Sequence, residues 1–185
     1  MTRLISGSGG SRRLATPPGR GTRPTSDRTR EALFSSLESL CGTLDGLSFL
    51  DLYAGSGAVG LEAASRGATR VTLVERDPRA ARVIRENIAT VAVTGVELVE
   101  SNVATFLERA PAGTSGYDIV FVDPPYAEPV TEVLRRLRAG AWLAPSAVVC
   151  VERASRDAGP VWPDGVDGLR SRRYGESTLW YGRAS

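Results

Sequence analysis

The chain contains no histidine and no lysine, and only two of its 185 residues are cysteine. Without histidine there is no Ser–His–Asp triad, no imidazole general base and no histidine metal ligand. Without lysine there is no Walker A loop, which sets aside P-loop nucleotide hydrolysis, and no amine for a Schiff base. Cys41 and Cys150 stand far apart and form no C-x-x-C pair, so no structural zinc site is expected. Cys150 falls in the apolar run Ala147–Val151 and reads as a buried free thiol. No apolar run approaches the roughly 18 residues of a membrane span, and Met1–Gly10 lacks the apolar centre of a signal peptide. A cytoplasmic protein with no membrane partner is expected. The chemistry left open belongs to carboxylates, tyrosine, backbone groups and a bound cofactor.

Hydrophobic residues make up 42% and charged residues 24% of the chain, a balance that permits a sizeable core. The net charge of +2 is unevenly spread. Residues 1–30 carry seven arginines, Arg3, Arg12, Arg13, Arg20, Arg23, Arg28 and Arg30, against the single acid Asp27. The remainder carries 16 arginines against 20 acids. A basic N-terminal segment on an acidic body suggests a polyanionic partner.

Two short apolar-basic pieces, residues 3–5 and 12–15, flank a Gly/Ser-rich stretch and suggest a small hairpin. From Ser26 to Leu40 the apolar residues Leu33, Phe34, Leu37 and Leu40 recur at helical spacing. Strand and helix patterns then alternate. Strands are expected at Ser48–Leu52, Arg70–Glu75, Val96–Glu100, Tyr117–Val122 and Ala147–Glu152, with helices between them. Two further strands, Gly168–Tyr174 and Ser177–Tyr181, flank Gly175. This is an α/β pattern: a seven-stranded, mostly parallel sheet with helices on both faces. It divides the chain into an N-terminal extension, residues 1–24, and a body, residues 25–185. Ligands in such sheets bind beyond the carboxyl ends of the strands, so the residues after each strand matter most.

After the first strand of the body comes Asp51-Leu52-Tyr53-Ala54-Gly55-Ser56-Gly57-Ala58-Val59-Gly60. Its glycines allow close backbone approach to a ligand, and the next helix offers free N–H groups. By itself the Gly-x-Gly-x-x-Gly spacing fits a dinucleotide site equally well. Glu75 ends the second strand, where a carboxylate can accept from both hydroxyls of a ribose. Asn102 follows the third strand, with two uses open to it: reading an adenine edge or capping the next helix. Asp123-Pro124-Pro125-Tyr126 follows the fourth. The prolines stiffen that loop and fix its carbonyl directions. The amino group of a base is a poor nucleophile because its lone pair is delocalised into the ring. Accepting its two N–H bonds at the Asp123 carboxylate and the Pro124 carbonyl favours a pyramidal nitrogen, and Tyr126 offers a stacking face.

The glycine loop, the acid at Glu75 and Asp-Pro-Pro-Tyr, in this order, resemble the class I methyltransferases that methylate amino groups. The segment Arg23-Pro24-Thr25-Ser26-Asp27-Arg28-Thr29-Arg30-Glu31-Ala32-Leu33-Phe34 resembles a signature of the RsmD family, as do Asp51–Glu62, Ser101–Leu107 and Asp123–Tyr126. The resemblance covers nearly the whole chain. It implies a Rossmann-like class I fold, S-adenosylmethionine as cofactor, and methylation of guanine N2 in 16S rRNA within a small subunit or an assembly intermediate. It places Asp123, Pro124, Pro125 and Tyr126 at the reacting base. Asp51, Tyr53, Ala54, Gly55, Ser56, Gly57, Glu75 and Asn102 fall at the cofactor. Arg3, Arg12, Arg13, Arg23, Arg28, Arg30, Arg172 and Arg173 are the expected phosphate contacts, and a monomer is expected. Three rivals remain: a DNA amino-methyltransferase, a nicotinamide enzyme sharing the glycine loop, and a non-catalytic RNA-binding assembly factor.

Overall fold

The central strands of the body are apolar runs whose alternate residues enter two different cores. In the computed structural model, which describes residues 2–17, 27–111, 116–125 and 129–185, the strand β3 (Ser48–Leu52) is buried at all five positions. Phe49 faces one side, with Phe121, Cys150 and Tyr181 from neighbouring strands. Leu50 and Leu52 face the other, with Val120, Val122 and Val151. Complete burial of such a side chain contributes about 1.5–3 kcal/mol.

The other elements are β1 (Thr2–Arg3), β2 (Arg13–Leu14), α1 (Asp27–Cys41), α2 (Ala58–Ser65), β4 (Arg70–Glu75), α3 (Pro78–Val91), β5 (Val96–Glu100), α4 (Val103–Leu107), β6 (Tyr117–Val122), α5 (Val130–Ala139), β7 (Leu143–Ala154), β8 (Val166–Tyr174) and β9 (Ser177–Ala184). The helices α1, α2 and α3 cover one face of the sheet through Leu33, Phe34, Leu37, Val59, Ala63 and Ile84. Opposite them, α4 and α5 contribute Phe106, Leu107, Val133, Leu134 and Leu137.

The sheet has seven strands in the order β5-β4-β3-β6-β7-β9-β8. From β5 to β7 all neighbours are parallel, and β9 joins β7 and β8 antiparallel. This is the class I methyltransferase fold, with the separate β1–β2 hairpin expected near the N-terminus. Helix starts follow local chemistry. Pro78 occupies the first turn of α3, and Asp77 caps it by accepting from the Arg79 N–H at 2.8 Å.

The strand β7 is longer than expected. Its pairing with β6 jumps from Tyr117–Leu143 to Ile119–Val148. Pro145, with no N–H to donate, and Ser146, at φ 63°, lie in that interruption. At the other end, pairing with β9 carries β7 on to Ala154.

Candidate active site

The chain travels outward from β3 through β4 to β5, then returns to β6 on the opposite side of β3. The strand order therefore reverses between β3 and β6, the position where open α/β sheets bind ligands. The last row of that pair joins Leu52 to Val122. The glycine loop after Leu52 and the Asp123-Pro124-Pro125 turn after Val122 consequently leave the sheet side by side.

Asp51 is 1% exposed, and its carboxylate accepts from the Gly60 N–H in the first turn of α2 at 3.0 Å. Burial pushes this carboxyl up to about 7, the Gly60 hydrogen bond opposing and the nearby charge of Glu75 adding to the rise. Tyr53 holds a left-handed backbone at φ 69°, a strained geometry for a non-glycine residue. The Ala54 N–H donates to the Val74 carbonyl at 2.9 Å, and the Gly57 N–H to the Ala54 carbonyl at 2.7 Å. Gly55 and Gly57 have φ of 59° and 77°. A Cβ on Gly55 would project into open space, whereas one on Gly60 would lie 2.1 Å from Leu73 Cδ2. The glycines therefore do different work: Gly55 and Gly57 turn the loop, and Gly60 lets α2 lie close on β4.

Glu75 closes the loop from the neighbouring strand. One carboxylate oxygen accepts from the Gly55 N–H and the other from the Asp77 N–H, each at 2.8 Å. Two of about four acceptor positions are thus used, leaving capacity for a ligand. Asn102 caps α4, its Oδ1 accepting from the Thr105 N–H at 2.8 Å. Of its two expected uses, capping is the one the fold exhibits.

Asp123 is partly buried, Pro124 buried and Pro125 exposed. Burial holds the Asp123 carboxyl well above the ordinary range, and the charges of Glu152 and Asp51 push the same way. Glu152 was not singled out from the sequence. It is 8% exposed and follows Val151, the partner of Val122. An acid ending an otherwise apolar strand, as Glu75 does, was the available signal. Asp51, Glu75, Asp123 and Glu152 gather four interacting carboxyls at the strand ends, a grouping suited to a cationic ligand. Tyr126 lies outside the described residues.

The family described as "Conserved hypothetical protein 95" matches residues 2–183. Ribosomal RNA small subunit methyltransferase D of Escherichia coli K12 is 39% identical over 87% of this chain and 79% of its own. The chain belongs to the RsmD family. The putative rRNA methyltransferase YlbH of Bacillus subtilis is 35% identical over 73% of this chain and 72% of its own. The solved structure of the putative methyltransferase yhhF from Escherichia coli superposes with a TM-score of 0.84 at 34% identity, covering 100% of this chain and 98% of that one.

In this RsmD-family chain the arginines expected at phosphates have unequal freedom. Arg3, Arg13, Arg28, Arg172 and Arg173 are exposed. Arg173 also donates to the Gly175 carbonyl at 3.1 Å. Glu152 pairs with Leu179, which pairs with Arg172. Arg172 therefore stands three strands along from the Asp123 turn, roughly 14 Å by strand spacing. Arg12 is exposed but donates to the carbonyls of Thr90 and Val91 at the end of α3, a favourable place for a cation. Arg23 lies outside the described residues.

Arg30 corrects the sequence reading. It is 0% exposed, inside the protein rather than on an RNA-facing surface. Its guanidinium donates to Asp27 at 2.9 Å, to Thr2 Oγ1 at 3.1 Å and to the Arg3 carbonyl, and lies 3.9 Å from Glu62. Glu62 is also fully buried and accepts from the Ile5 and Ser6 N–H groups at 2.7 and 3.0 Å and from Arg66 at 2.9 Å. Arg30 and Glu62 thus fasten the hairpin to α1 and α2.

Proposed function

We propose that this chain transfers a methyl group from S-adenosylmethionine to the exocyclic N2 of a guanine in 16S rRNA of the small ribosomal subunit. The observation that carries this reading is the meeting of the glycine loop and the Asp123-Pro124 turn across the Leu52–Val122 pair. Membership of the RsmD family supports the choice of nucleic acid.

S-adenosylmethionine supplies an electrophilic methyl on a positively charged sulfur that is already a good leaving group. The residues present fit it. The buried Asp51 carboxyl can gain an ammonium partner, and open space lies where a side chain on Gly55 would project. Asp51 and the loop Tyr53–Gly57 hold the amino-acid end. Glu75 keeps acceptor positions for ribose hydroxyls, and Asn102 turns its Nδ2 toward the adenine. On the facing side, the Asp123 carboxyl and the Pro124 carbonyl accept the two N–H bonds of the guanine amine and aim its lone pair at the methyl carbon. Tyr126 is the stacking partner of the splayed base, a contact of order 1–3 kcal/mol.

No strong base is required before transfer, and positioning supplies roughly 7–11 kcal/mol in favourable cases. Afterwards the nitrogen carries one proton too many. Asp123, whose proton affinity burial and Glu152 raise, takes it directly or through water. Arg3, Arg13, Arg28, Arg172 and Arg173 provide the exposed cations for RNA phosphates.

Mass-spectrometric mapping of methylated guanines in 16S RNA, with and without the gene, tests the target. One methylated guanine disappears without the gene and returns with the wild-type protein. In vitro, Asp123→Ala keeps cofactor affinity by calorimetry and loses methyl transfer by at least roughly 100-fold. Full activity in Asp123→Ala removes that carboxyl from the chemistry, and an unchanged methylation map removes the proposed target.

A further inference from the structure

Asn87 is one of only two asparagines in a chain that has no glutamine. It lies on α3 and is 1% exposed. All of its hydrogen-bonding groups are used. Oδ1 accepts from the Ala15 N–H at 2.8 Å, while Nδ2 donates to the Ala15 carbonyl at 3.0 Å and to the Ser56 carbonyl at 2.9 Å.

These partners belong to two functional segments. Ala15 follows strand β2 of the basic hairpin, and the Asn87 carboxamide brackets its backbone as an adjacent strand would. Ser56 lies between Gly55 and Gly57 in the glycine loop. The Ser56–Gly57 peptide is consequently held from both sides, its carbonyl by Asn87 and its N–H by the Ala54 carbonyl at 2.7 Å. The hairpin also sits on α2, the helix that begins at this loop. Ile5 and Ser6 donate to Glu62, and Gly9 donates to Ser65 Oγ at 2.8 Å. A displacement of the hairpin therefore reaches the loop through α2 and through α3.

We propose that Asn87 is a positioning residue that couples RNA engagement by the basic N-terminal segment to the cofactor-binding shape of the glycine loop. This rests on the methyltransferase reading above. Asn87 touches neither reacting group; it acts by fixing one peptide of the loop relative to the hairpin. Linkage requires reciprocity: if bound RNA tightens cofactor affinity by some factor, bound cofactor tightens RNA affinity by the same factor.

The test measures binding of labelled S-adenosylhomocysteine, which cannot turn over, with and without small subunits from cells lacking the gene. In the wild type the subunits tighten that binding by roughly fivefold or more. Asn87→Asp removes both Nδ2 donors and places a negative charge beside two carbonyls. It weakens binding of the probe alone roughly tenfold and abolishes the tightening. Ala15→Pro removes the Ala15 N–H, sets its ring against Asn87 Oδ1 and restricts Leu14, while both groups of the Ser56 bond, the Asn87 amide and the Ser56 carbonyl, stay in place. It binds the probe alone within roughly twofold of wild type but loses the tightening, a split that general destabilisation does not produce. Circular-dichroism melts report folding, and Ala15→Pro carries the test if Asn87→Asp does not fold.

Wild-type binding unaffected by subunits overturns the proposal, as does wild-type coupling in both variants. Failure of the wild type to bind the probe instead overturns the cofactor reading beneath it.

Discussion

Asp51 is a carboxyl that burial has already brought close to neutrality, and the proposed cofactor brings positive charge to it. With its pKa pushed up to about 7, Asp51 is about half protonated at pH 7 and about nine-tenths protonated at pH 6. An opposite charge within hydrogen-bonding range lowers a carboxyl pKa by about 1–3 units. If the ammonium of S-adenosylmethionine brings Asp51 to about 5, binding expels about 0.8 proton at pH 6 and about 0.5 at pH 7. Calorimetric titrations in two buffers of different ionisation enthalpy count these protons directly. Asp51→Asn retains an acceptor for the Gly60 N–H and removes the titrating group. The difference between the two proteins therefore reports Asp51 together with its electrostatic effect on the neighbouring Asp123. Staying at or below pH 7 keeps the cofactor's own amine, with an ordinary pKa of about 7.7–8.0, largely protonated. Equal proton counts for wild type and Asp51→Asn at both pH values would refute the placement of a cation against Asp51.

The same carboxyl makes folding stability depend on pH. Folded Asp51 holds its proton more tightly than the unfolded chain does, so its contribution is lost as pH rises from about 4 to about 7. The full cost is about 4 kcal/mol as a ceiling, and Asp51→Asn should flatten the fall in Tm over that window; an unchanged slope would contradict it. Arg30→Ala removes the bonds to Asp27, Thr2 and the Arg3 carbonyl, while Glu62 keeps Arg66, and should cost about 2–3 kcal/mol in urea unfolding. A loss below about 1 kcal/mol would show that the hairpin anchor is not energetically important. Arg172→Gln and Arg173→Gln should each reduce the slope of log affinity against log salt by about 0.7–1 in RNA binding, and an unchanged slope removes that residue from the phosphate contacts.

The sheet was legible because apolar runs end in acids or turn residues at regular intervals. Asp51, Glu75 and Asp123 stand at or just beyond such ends, and the topology brings those ends to one edge. Glu152 obeys the same rule but lacks an adjacent motif to draw attention to it. Arg30 was misassigned because composition counts charges without assigning them a face. It precedes Leu33, Phe34 and Leu37 by three, four and seven residues, so the helical period itself puts it on the apolar stripe. The extension of β7 was hidden by Pro145, which argues against a strand, and by pairing with β9 more than twenty residues later. Glu62, Ser65 and Asn87 are polar residues buried by tertiary contacts, and local patterning does not foretell where a hairpin will dock.

The strand β8 ends the sheet and pairs only with β9 among the described residues. A free strand margin invites another chain to add itself, and positive side chains are a common deterrent. Two molecules meeting margin to margin would bring the exposed Arg172 and Arg173 of each into a shared sheet, where their positive charge opposes pairing. Swapping these residues for valine would thus remove a safeguard against self-association as well as the proposed RNA contact, and the resulting loss of soluble protein would masquerade as a loss of affinity.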